Sequence, residues 1–585
     1  YRLATHQFPG IAVTPGYRLL ESFAQDPIPR WTFRLGDSLL ERRLCLVRGE
    51  NATIMSYTWQ GKKRARLSMK PLFAMRPLHE VAREHGGMIQ RVSLRQGEVE
   101  IQPVPDLPPV VVGHPGVFMG SPDWWRRFEY SVDHQRGSDY HEDLWTPGTF
   151  EVDLEPDETR YLMFGLERLP AGSPAERMAE VCAFLERQDP GPDHAACTRT
   201  LRVAAEQFRS DAAARPAVLA GYPWLDMSTR DCLISLPGLY RLEQEAEAAK
   251  RVLRTVLSAR HDDLLTRGIR ESGEVSQHAS ADASLWLFEL TEQLIGHWGL
   301  DDAFLKNELY PVMKSIFARI TGARQEVIWV TPDGLLANGN SKETSEPPLT
   351  WMDSRAHGVA VTPRTGIAVE LQGLWTRACG ALARLAAHYG EPELAGRALE
   401  LRERARAAFA RRFWCAETRY PYDCISVAAD GPHVWQDNSV RPNAMIALAV
   451  DAELFTSWQA TTILERVRER LLTPVGIRTL DPGHPAYRGD FLGLMAQRRA
   501  AYHQGTCWAF LLGFYARAAL ALSPNDFELQ EELRHTIEQL VAQAPVLGQV
   551  AQVGGGDPPH SLGGCPAQAW SVAELLRTLT EQLDC

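Results

Sequence analysis

The 585-residue sequence has no uninterrupted apolar run near the roughly 20 residues that a bilayer-spanning helix needs. It also has no excess of basic residues, because its net charge is −11 and its pI is near 5.9. A nucleic-acid-binding surface would instead be basic. We therefore expect neither a membrane protein nor a nucleic-acid-binding protein, and no signal peptide is visible at Tyr1.

Cysteine motifs of the metal-binding or redox kind are missing as well. The ten cysteines form no CxxC pair, and no Cys/His cluster has the spacing of a zinc site. The chain also lacks a P-loop, an HExxH motif, a GxSxG elbow and a glycine fingerprint after a strand. The sequence therefore predicts no metal, nucleotide or other cofactor. Scattered reduced thiols are typical of a cytoplasmic protein.

Residues 1–168 contain a series of short β-type segments. Turn residues interrupt the alternating apolar pattern about every ten positions, as at Gly36-Asp37. Residues 148–167 predict a final hairpin that turns at Glu155-Pro156-Asp157. This spacing predicts an antiparallel β-sandwich as the first domain.

The pattern changes near Pro170. A Ser-x-x-Glu capping box at Ser173 and a 3.6-residue apolar period predict a linker helix within 169–194. From 195 to 585, apolar helices alternate with loops rich in Gly, Pro, Asp and aromatic residues. Helices that are apolar on nearly all sides fit an α/α toroid. An irregular helical array would have the same sequence features.

One tryptophan lies beside an acid in the stretch "PPLTWMDSRAHG", which contains Trp351 and Asp353. It belongs to residues 331–355, a long polar segment without periodicity, and such loops are usually functional or disordered. An aromatic ring next to a carboxylate is typical of a sugar site, and glycoside chemistry usually requires two carboxylates. The alternative is an exposed acid beside a structural tryptophan.

Further candidates lie in other loops that lead into helices. The first loop offers Tyr222, Trp224, Asp226, Arg230 and Asp231. Its Arg-Asp pair has the alternative role of fixing the loop.

Asp282 stands near a helix start, where an acid can cap the helix as readily as it binds a ligand. Arg441 and Asn443 flank Pro442 at another helix start, as buried loop clamps or as ligands of sugar hydroxyls. His503 and Gln504 lie in a turn, where a polyol-binding role and a structural role both fit.

These stretches, in this order, resemble the amylo-α-1,6-glucosidase part of glycogen debranching enzymes, including the bacterial ones. The segments that carry the resemblance are Gly-Tyr-Pro-Trp to Leu-Pro-Gly-Leu (221–239), Ala-Asp-Ala-Ser-Leu-Trp (281–286), Asp-Gly-Leu-Leu (333–336), Thr-Trp-Met-Asp (350–353), Val-Thr-Pro-Arg to Leu-Trp (361–375, including Glu370), Val-Arg-Pro-Asn (440–443), Ala-Tyr-His-Gln-Gly-Thr (501–506) and Ala-Gln-Ala-Trp-Ser-Val-Ala-Glu (567–574). Residues 19–49 and 136–150 are similar to the N-terminal β-domain of the same family. The family usually begins some tens of residues earlier, so we expect the first domain to be incomplete at its start.

The resemblance implies a β-sandwich followed by an (α/α)6 barrel. It implies an inverting, exo-acting enzyme that removes single α-1,6-linked glucose residues from an α-glucan or another glucoside. Asp353 matches the family's general acid, which needs a raised pKa to hold its proton near neutrality. The loop candidates above and Glu370 would then bind the sugar, and the resemblance leaves the oligomeric state open.

The family's base does not carry over. The resemblance places Gln552 where the family has the base Glu, and Gly554 and Gly555 also differ from it. An amide has no basic oxygen at neutral pH. The alternatives are Asp557 as a displaced base, an external nucleophile such as phosphate held by the glycine-rich turn, or a site that binds sugar without turnover. An engineered Glu-to-Gln change fits less well, because several neighbouring positions have changed together.

Overall fold

A computed structural model describes residues 1–88, 91–95, 97–188, 196–210, 215–270, 272–323, 326–340, 349–428, 434–544, 546 and 548–583. Parts of the predicted linker helix segment (189–194) and of the predicted 331–355 loop (341–348), together with Cys585, lie outside these residues. The chain divides into two compact units, residues 1–189 and 190–585.

Alternating apolar residues build two antiparallel sheets in the first unit. The strands are β1 Leu20–Gln25, β2 Pro29–Leu35, β3 Ser38–Leu46, β4 Ala52–Gln60, β5 Ala65–Met69, β6 Val92–Arg95, β7 Glu98–Ile101, β8 Val110–Gly113, β9 Val117–Glu129, β10 His141–Leu154 and β11 Thr159–Leu166. The larger sheet has the order β1-β2-β3-β4-β11-β8-β7-β6 and the smaller has the order β5-β10-β9. Inward side chains of both sheets, such as Trp59 and Val152, share one core. This unit has the layers of the predicted β-sandwich.

Two turn predictions for this unit had different outcomes. The predicted turn at Gly36-Asp37 is present, since Leu35 pairs with Ser38 across it. The predicted hairpin at 155–157 is wrong, because β10 pairs with β5 and β9 whereas β11 pairs with β4 and β8. The chain crosses from one sheet to the other at this turn, and alternation along a strand does not specify its sheet.

The unit also contains the helices α1 Ser131–Gln135 and α2 Pro174–Glu186. The capping box predicted at Ser173 is confirmed, with Glu176 as its partner. In α2, Met178 and Val181 pack against Ile28 and Cys45 of the same unit.

The second unit is helical. Its helices are α3 Ala196–Gln207, α4 Thr229–Leu239, α5 Ala246–Ser258, α6 Ala283–Trp298, α7 Tyr310–Thr321, α8 Val369–His388, α9 Pro392–Arg412, α10 Asn443–Val450, α11 Ser457–Arg466, α12 Met495–Ala501, α13 Leu511–Leu522, α14 Phe527–Ala542 and α15 Ala569–Arg577. The π-type turns Leu305–Leu309, Val467–Leu471 and Thr578–Leu583 extend three of the helical segments.

A closed ring of apolar helices forms the centre of this unit. Helix α4 packs on α6, α6 on α8, α8 on α10, α10 on α13 and α13 on α15, and α15 packs back on α4. Close contact needs small residues at the crossings, and a side chain at Gly238 would collide with the backbone of Ala573. The ring explains why these helices are apolar on nearly every face: each is covered by neighbours on both sides.

Short strand pairs hold the loops that precede the ring helices. They are β12 Arg209–Ser210, β13 Ala217–Val218, β14 Gly221–Tyr222, β15 Met227–Ser228, β16 Arg260–His261, β17 Leu264–Leu265, β18 Gly268–Ile269, β19 Glu326–Val330, β20 Leu336–Asn340, β21 Arg355–Ala356, β22 Val359–Ala360, β23 Ile367–Ala368, β24 Trp414–Cys415, β25 Tyr420–Pro421, β26 Cys424–Ile425, β27 Gln436–Asp437, β28 Leu472–Thr473, β29 Gly476–Arg478, β30 Cys507–Trp508, β31 Val553–Gly554, β32 Leu562–Gly563 and β33 Ala567–Gln568. The longest assembly, β28-β29-β30-β31-β32, fixes the segments before α13 and α15 beside each other. The start of the predicted 331–355 loop is the turn and second strand of the β19–β20 hairpin.

No helix in the described part of the chain is both long and apolar enough to cross a bilayer. The nine described cysteines are free thiols.

Candidate active site

Asp353 lies shortly before β21, in one of the loops that precede the ring helices. Its side chain keeps 32% of its accessible surface, and the nearest guanidinium nitrogen of Arg230 is 3.8 Å from its Oδ2. The surrounding protein removes much of the carboxylate's hydration, and this desolvation raises the pKa of Asp353. The positive charges of Arg230 and Arg267 oppose the rise, and the negative charge of Asp282 adds to it. The carboxyl group therefore holds its proton to a higher pH than an ordinary aspartate, as a general acid requires.

Arg230 is fixed by contacts on its other side. Its Nε donates to Asp282 Oδ2 at 2.8 Å, and its Nη2 donates to Ser280 Oγ at 3.3 Å. Ser280 Oγ donates in turn to Asp282 at 2.7 Å. Asp282 precedes α6 but makes no side-chain cap to that helix. The structure thus places its carboxylate in the ion pair with Arg230 rather than in a helix cap.

Asp231 is a second carboxyl group of the same cluster, in the first turn of α4. It accepts hydrogen bonds from Ser228 Oγ at 2.6 Å and from Gln568 Nε2 at 3.2 Å. Burial raises the pKa of Asp231 to about 6, and the charge of Asp353 adds to this rise, while Ser228 and Arg230 act against it. Gln568 directly precedes α15, so this contact joins the first and last helices of the ring.

Gln552 is buried and its amide is held in one orientation. The backbone N–H of Cys565 can only donate, so the 3.0 Å contact identifies the acceptor as Gln552 Oε1. Gln552 Nε2 then donates to the hydroxyl oxygen of Tyr502 at 2.5 Å. Burial, and next the charges of Asp353 and Asp231, raise the pKa of Tyr502, so the phenol stays protonated. At the position where the resemblance expects a base, the site therefore carries an amide and a phenol.

Asp557 accepts a hydrogen bond from Tyr487 at 2.9 Å. The glycine-rich turn before it is internally bonded, because the N–H of Gly555 donates to Ser561 O and the N–H of Gly556 donates to Gly489 O. These two N–H groups are therefore already engaged and are not free to cradle an anion.

Five of the sequence candidates belong to a neighbouring buried cluster rather than to the group around Asp353. They are Trp351, Glu370, Arg441, Asn443 and Gln504, and every one has less than a tenth of its surface exposed. Glu370 accepts hydrogen bonds from both terminal nitrogens of Arg364, and Arg441 donates to Gln504 Oε1 at 2.9 Å. Both amide groups, of Asn443 and of Gln504, are used in bonds to protein atoms.

His503 lies between the two clusters and is fully buried. Its ring stacks on Trp508 at 5.3 Å and meets Trp351 edge-on. Burial and the nearby arginines lower the pKa of His503 far below its usual value, so the ring is neutral. Within the described residues, neither ring nitrogen has a hydrogen-bond partner.

Tyr222, Trp224 and Asp226 lie on the more exposed rim of the site. Tyr222 is 38% exposed, and its carbonyl oxygen accepts from the Cys565 thiol. The β14–β33 pair attaches this rim segment to Gln568.

Tyr502 belongs to the quoted 501–506 turn, whereas Ser228, Ser280, Arg267 and Gln568 were not among the sequence candidates. Ser228 and Gln568 lie inside quoted motifs and Ser280 directly precedes one, but their partners elsewhere in the chain are visible only in three dimensions. In the described residues there is no cluster of His, Cys, Asp and Glu suited to a metal ion.

Two family models match this chain. Residues 198–577 match the amylo-alpha-1,6-glucosidase model, and residues 1–161 match the model of the glycogen debranching enzyme N terminal. The chain belongs to the amylo-alpha-1,6-glucosidase family. The resemblance proposed from the motifs is therefore confirmed.

One sequence relative and one solved structure are similar to this amylo-alpha-1,6-glucosidase family member. A glycogen debranching enzyme of Saccharomyces cerevisiae is 29% identical over 228 residues, which cover 33% of this chain and 14% of that protein. The chain thus spans a small part of the yeast enzyme's length. A crystal structure of a bacterial glucoamylase complexed with acarbose matches with a TM-score of 0.56 at 10% identity, over 95% of this chain and 84% of that chain. At this identity the likeness shows the fold, which is of the α/α toroid type.

Proposed function

We propose that this chain is a glucan-acting glycosidase that removes α-1,6-linked glucose with Asp353 as its general acid. The observation that carries the proposal is the position of Asp353: desolvation raises its pKa beside a fixed arginine, while a third of its side chain stays accessible. Membership of the amylo-alpha-1,6-glucosidase family supports the linkage.

In the proposed reaction, the oxygen of a water molecule bonds to the anomeric carbon as the bond from that carbon to O6 of the next glucose breaks. Asp353 gives its proton to the departing O6. The attacking water releases one proton to the solvent, and the configuration at the anomeric carbon inverts, because attack comes from the face opposite the acid. Arg230 and Asp231, together with Tyr222 and Trp224 on the rim, would grip the terminal glucose.

The weak step is removal of the proton from water. A general base typically contributes about 10²–10⁴-fold to such a step. Gln552 offers only an amide, whose nitrogen donates to Tyr502 and whose oxygen accepts from Cys565. The same observation favours a second candidate, a protein that binds α-glucan and turns it over slowly or not at all. Transfer to an external nucleophile such as phosphate needs no protein base, although the engaged N–H groups of Gly555 and Gly556 give it less support.

The deciding experiment incubates the chain with branched and linear α-glucans, with and without phosphate, and identifies the products. Free glucose from the branched substrate alone is the expected result, and Asp353→Asn should abolish it. A sugar phosphate that forms only when phosphate is present would show that the reaction is transfer to phosphate and not hydrolysis. Glucan binding without any product would support the second candidate, a protein that binds glucan without turnover.

We further propose that the ring of α4, α6, α8, α10, α13 and α15 is the inner layer of an (α/α)6 barrel over 195–585, after a β-domain over 1–168 and a linker segment over 169–194. Free thiols at all nine described cysteines are consistent with a cytoplasmic protein.

A further inference from the structure

We infer that a buried ionic cluster, defined as Arg364, Glu370, Asp423, Arg441 and Asn443, is a positioning device for Asp353. The inference rests on the proposed role of Asp353 as an acid. It assigns a function to Glu370, Arg441 and Asn443, which the motifs had suggested as sugar ligands.

The first argument is that the cluster is closed to solvent and internally balanced. The side chains of Arg364 and Asp423 are 1% exposed and that of Glu370 is 2% exposed. Arg364 Nε donates to Asp423 Oδ2 at 2.7 Å, and Arg364 Nη2 donates to Glu370 at 2.6 Å. Arg441 Nε lies 3.8 Å from the same Asp423 oxygen. Two cations thus face two anions, which is the condition under which buried charges are tolerated.

The second argument is that the cluster holds the three residues that precede Asp353, one after another. Arg364 Nη1 donates to Thr350 Oγ1 at 3.4 Å. Trp351 Nε1 donates to Asn443 Oδ1 at 2.8 Å, and Asn443 Nδ2 lies 3.5 Å from the sulfur of Met352.

Asn443 in turn is fixed because its Nδ2 donates to Asp423 at 2.7 Å. On the other side of Asp353, Ser354 Oγ donates to the carbonyl of Arg499 at 2.8 Å. Asp353 is therefore held between anchored neighbours, and its own carboxylate lies 3.8 Å from the Arg230 guanidinium.

The cluster's members come from three separate ring positions. Arg364 and Glu370 flank the start of α8, Asp423 precedes β26, and Arg441 and Asn443 flank the start of α10. All side-chain hydrogen-bonding groups of Asn443 and both carboxylate oxygens of Glu370 are bonded to protein atoms. These two residues therefore act on Asp353 through Trp351 and the backbone. Displacement of a reacting group by about 1 Å can cost about 10²-fold in rate.

The test compares two substrates that differ in their need for a proton. The leaving O6 of a branched α-glucan needs the proton of Asp353, whereas fluoride leaving from α-glucosyl fluoride needs far less help. Trp351→Phe removes the N–H that binds Asn443, and Asn443→Ala removes the acceptor itself. Both variants should lose about 10–100-fold in kcat on the branched glucan, stay within about threefold on the fluoride, and shift the basic limb of the pH profile.

A matched control separates positioning from general damage. Trp375 is also buried, and its Nε1 donates to Gly334 O at 3.1 Å, so Trp375→Phe loses a comparable bond elsewhere in the toroid. This control should keep the wild-type ratio between the two substrates. Equal losses on both substrates in Trp351→Phe and Asn443→Ala would overturn the inference.

A second measurement does not depend on catalytic turnover. It tests the inference even if the wild-type chain cleaves neither substrate and the proposed function itself fails. Hydrogen exchange of the peptide covering 349–355 should then accelerate in Trp351→Phe and Asn443→Ala but not in Trp375→Phe. Unchanged exchange in the first two variants would show that the cluster does not hold this segment.

Discussion

Gln552→Glu tests the proposed mechanism at its weakest step. The new carboxylate would keep the acceptor oxygen that binds the N–H of Cys565 at 3.0 Å. Its second oxygen would replace the nitrogen that lies 2.5 Å from the Tyr502 hydroxyl. That hydroxyl, which now accepts a hydrogen bond, would turn and donate to the carboxylate. A base would thus stand at position 552 with both of its neighbours, Cys565 and Tyr502, still hydrogen-bonded to it.

The expected gain in the rate of hydrolysis follows from the usual contribution of a general base. An increase of about 10²–10⁴-fold corresponds to about 2.7–5.4 kcal/mol off the activation barrier. Burial raises the pKa of the new carboxyl group, whereas the hydrogen bond from Tyr502 lowers it.

The assay is glucose release from a branched α-glucan across the neutral pH range. The variant should show a bell-shaped profile, in which the rate rises as the introduced carboxyl group loses its proton and falls as Asp353 loses its own. Gln549→Glu is the matched control, because Gln549 is buried in the same segment but donates to Gln207. A folded variant with normal glucan affinity and less than about a threefold gain would refute the base assignment.

Four further substitutions have expected outcomes. Asp353→Asn should abolish cleavage but leave glucan affinity unchanged in calorimetry, and a parallel loss of affinity would show that Asp353 acts in binding. Burial raises the pKa of Asp231 from 3.8 to about 6, so the folded chain binds this proton more tightly than the unfolded chain. The free energy of unfolding should therefore fall by about 3 kcal/mol as the pH rises from below 3.8 to above about 6. Asp231→Asn should flatten that fall in urea unfolding measured at several pH values; an unchanged slope contradicts the assignment. Gly238→Ala should destabilise by about 1–3 kcal/mol, because the new methyl would lie 2.1 Å from the carbonyl oxygen of Ala573. Gly396→Ala, where no atom lies within 4 Å, should instead stabilise α9 by about 0.5–1 kcal/mol in the same urea assay.

The sequence predicted the two-part organisation because each half has its own period. Alternation over the first part and apolar helices over the second are local signals that survive in the structure. The capping box at Ser173 was readable for the same reason: its two partners are three residues apart. The 155–157 hairpin was predicted wrongly because sheet membership depends on strands far away in the chain.

The motifs grouped the candidate site residues but did not predict their contacts with one another. Asp231, Asp282, Glu370 and Asn443 all stand at the starts of ring helices, where polar residues precede an apolar helix in the sequence. Which of these residues bind one another depends on pairings such as that of Trp351 with Asn443. These pairings join distant positions, and no local pattern encodes them.

The bond between Asp231 and Gln568 exists only where α15 meets α4. During synthesis, a chain that ends before α15 therefore lacks the contact that closes the ring between α13 and α4. Under the proposed function, the glucan site would be complete only after this last helix has docked.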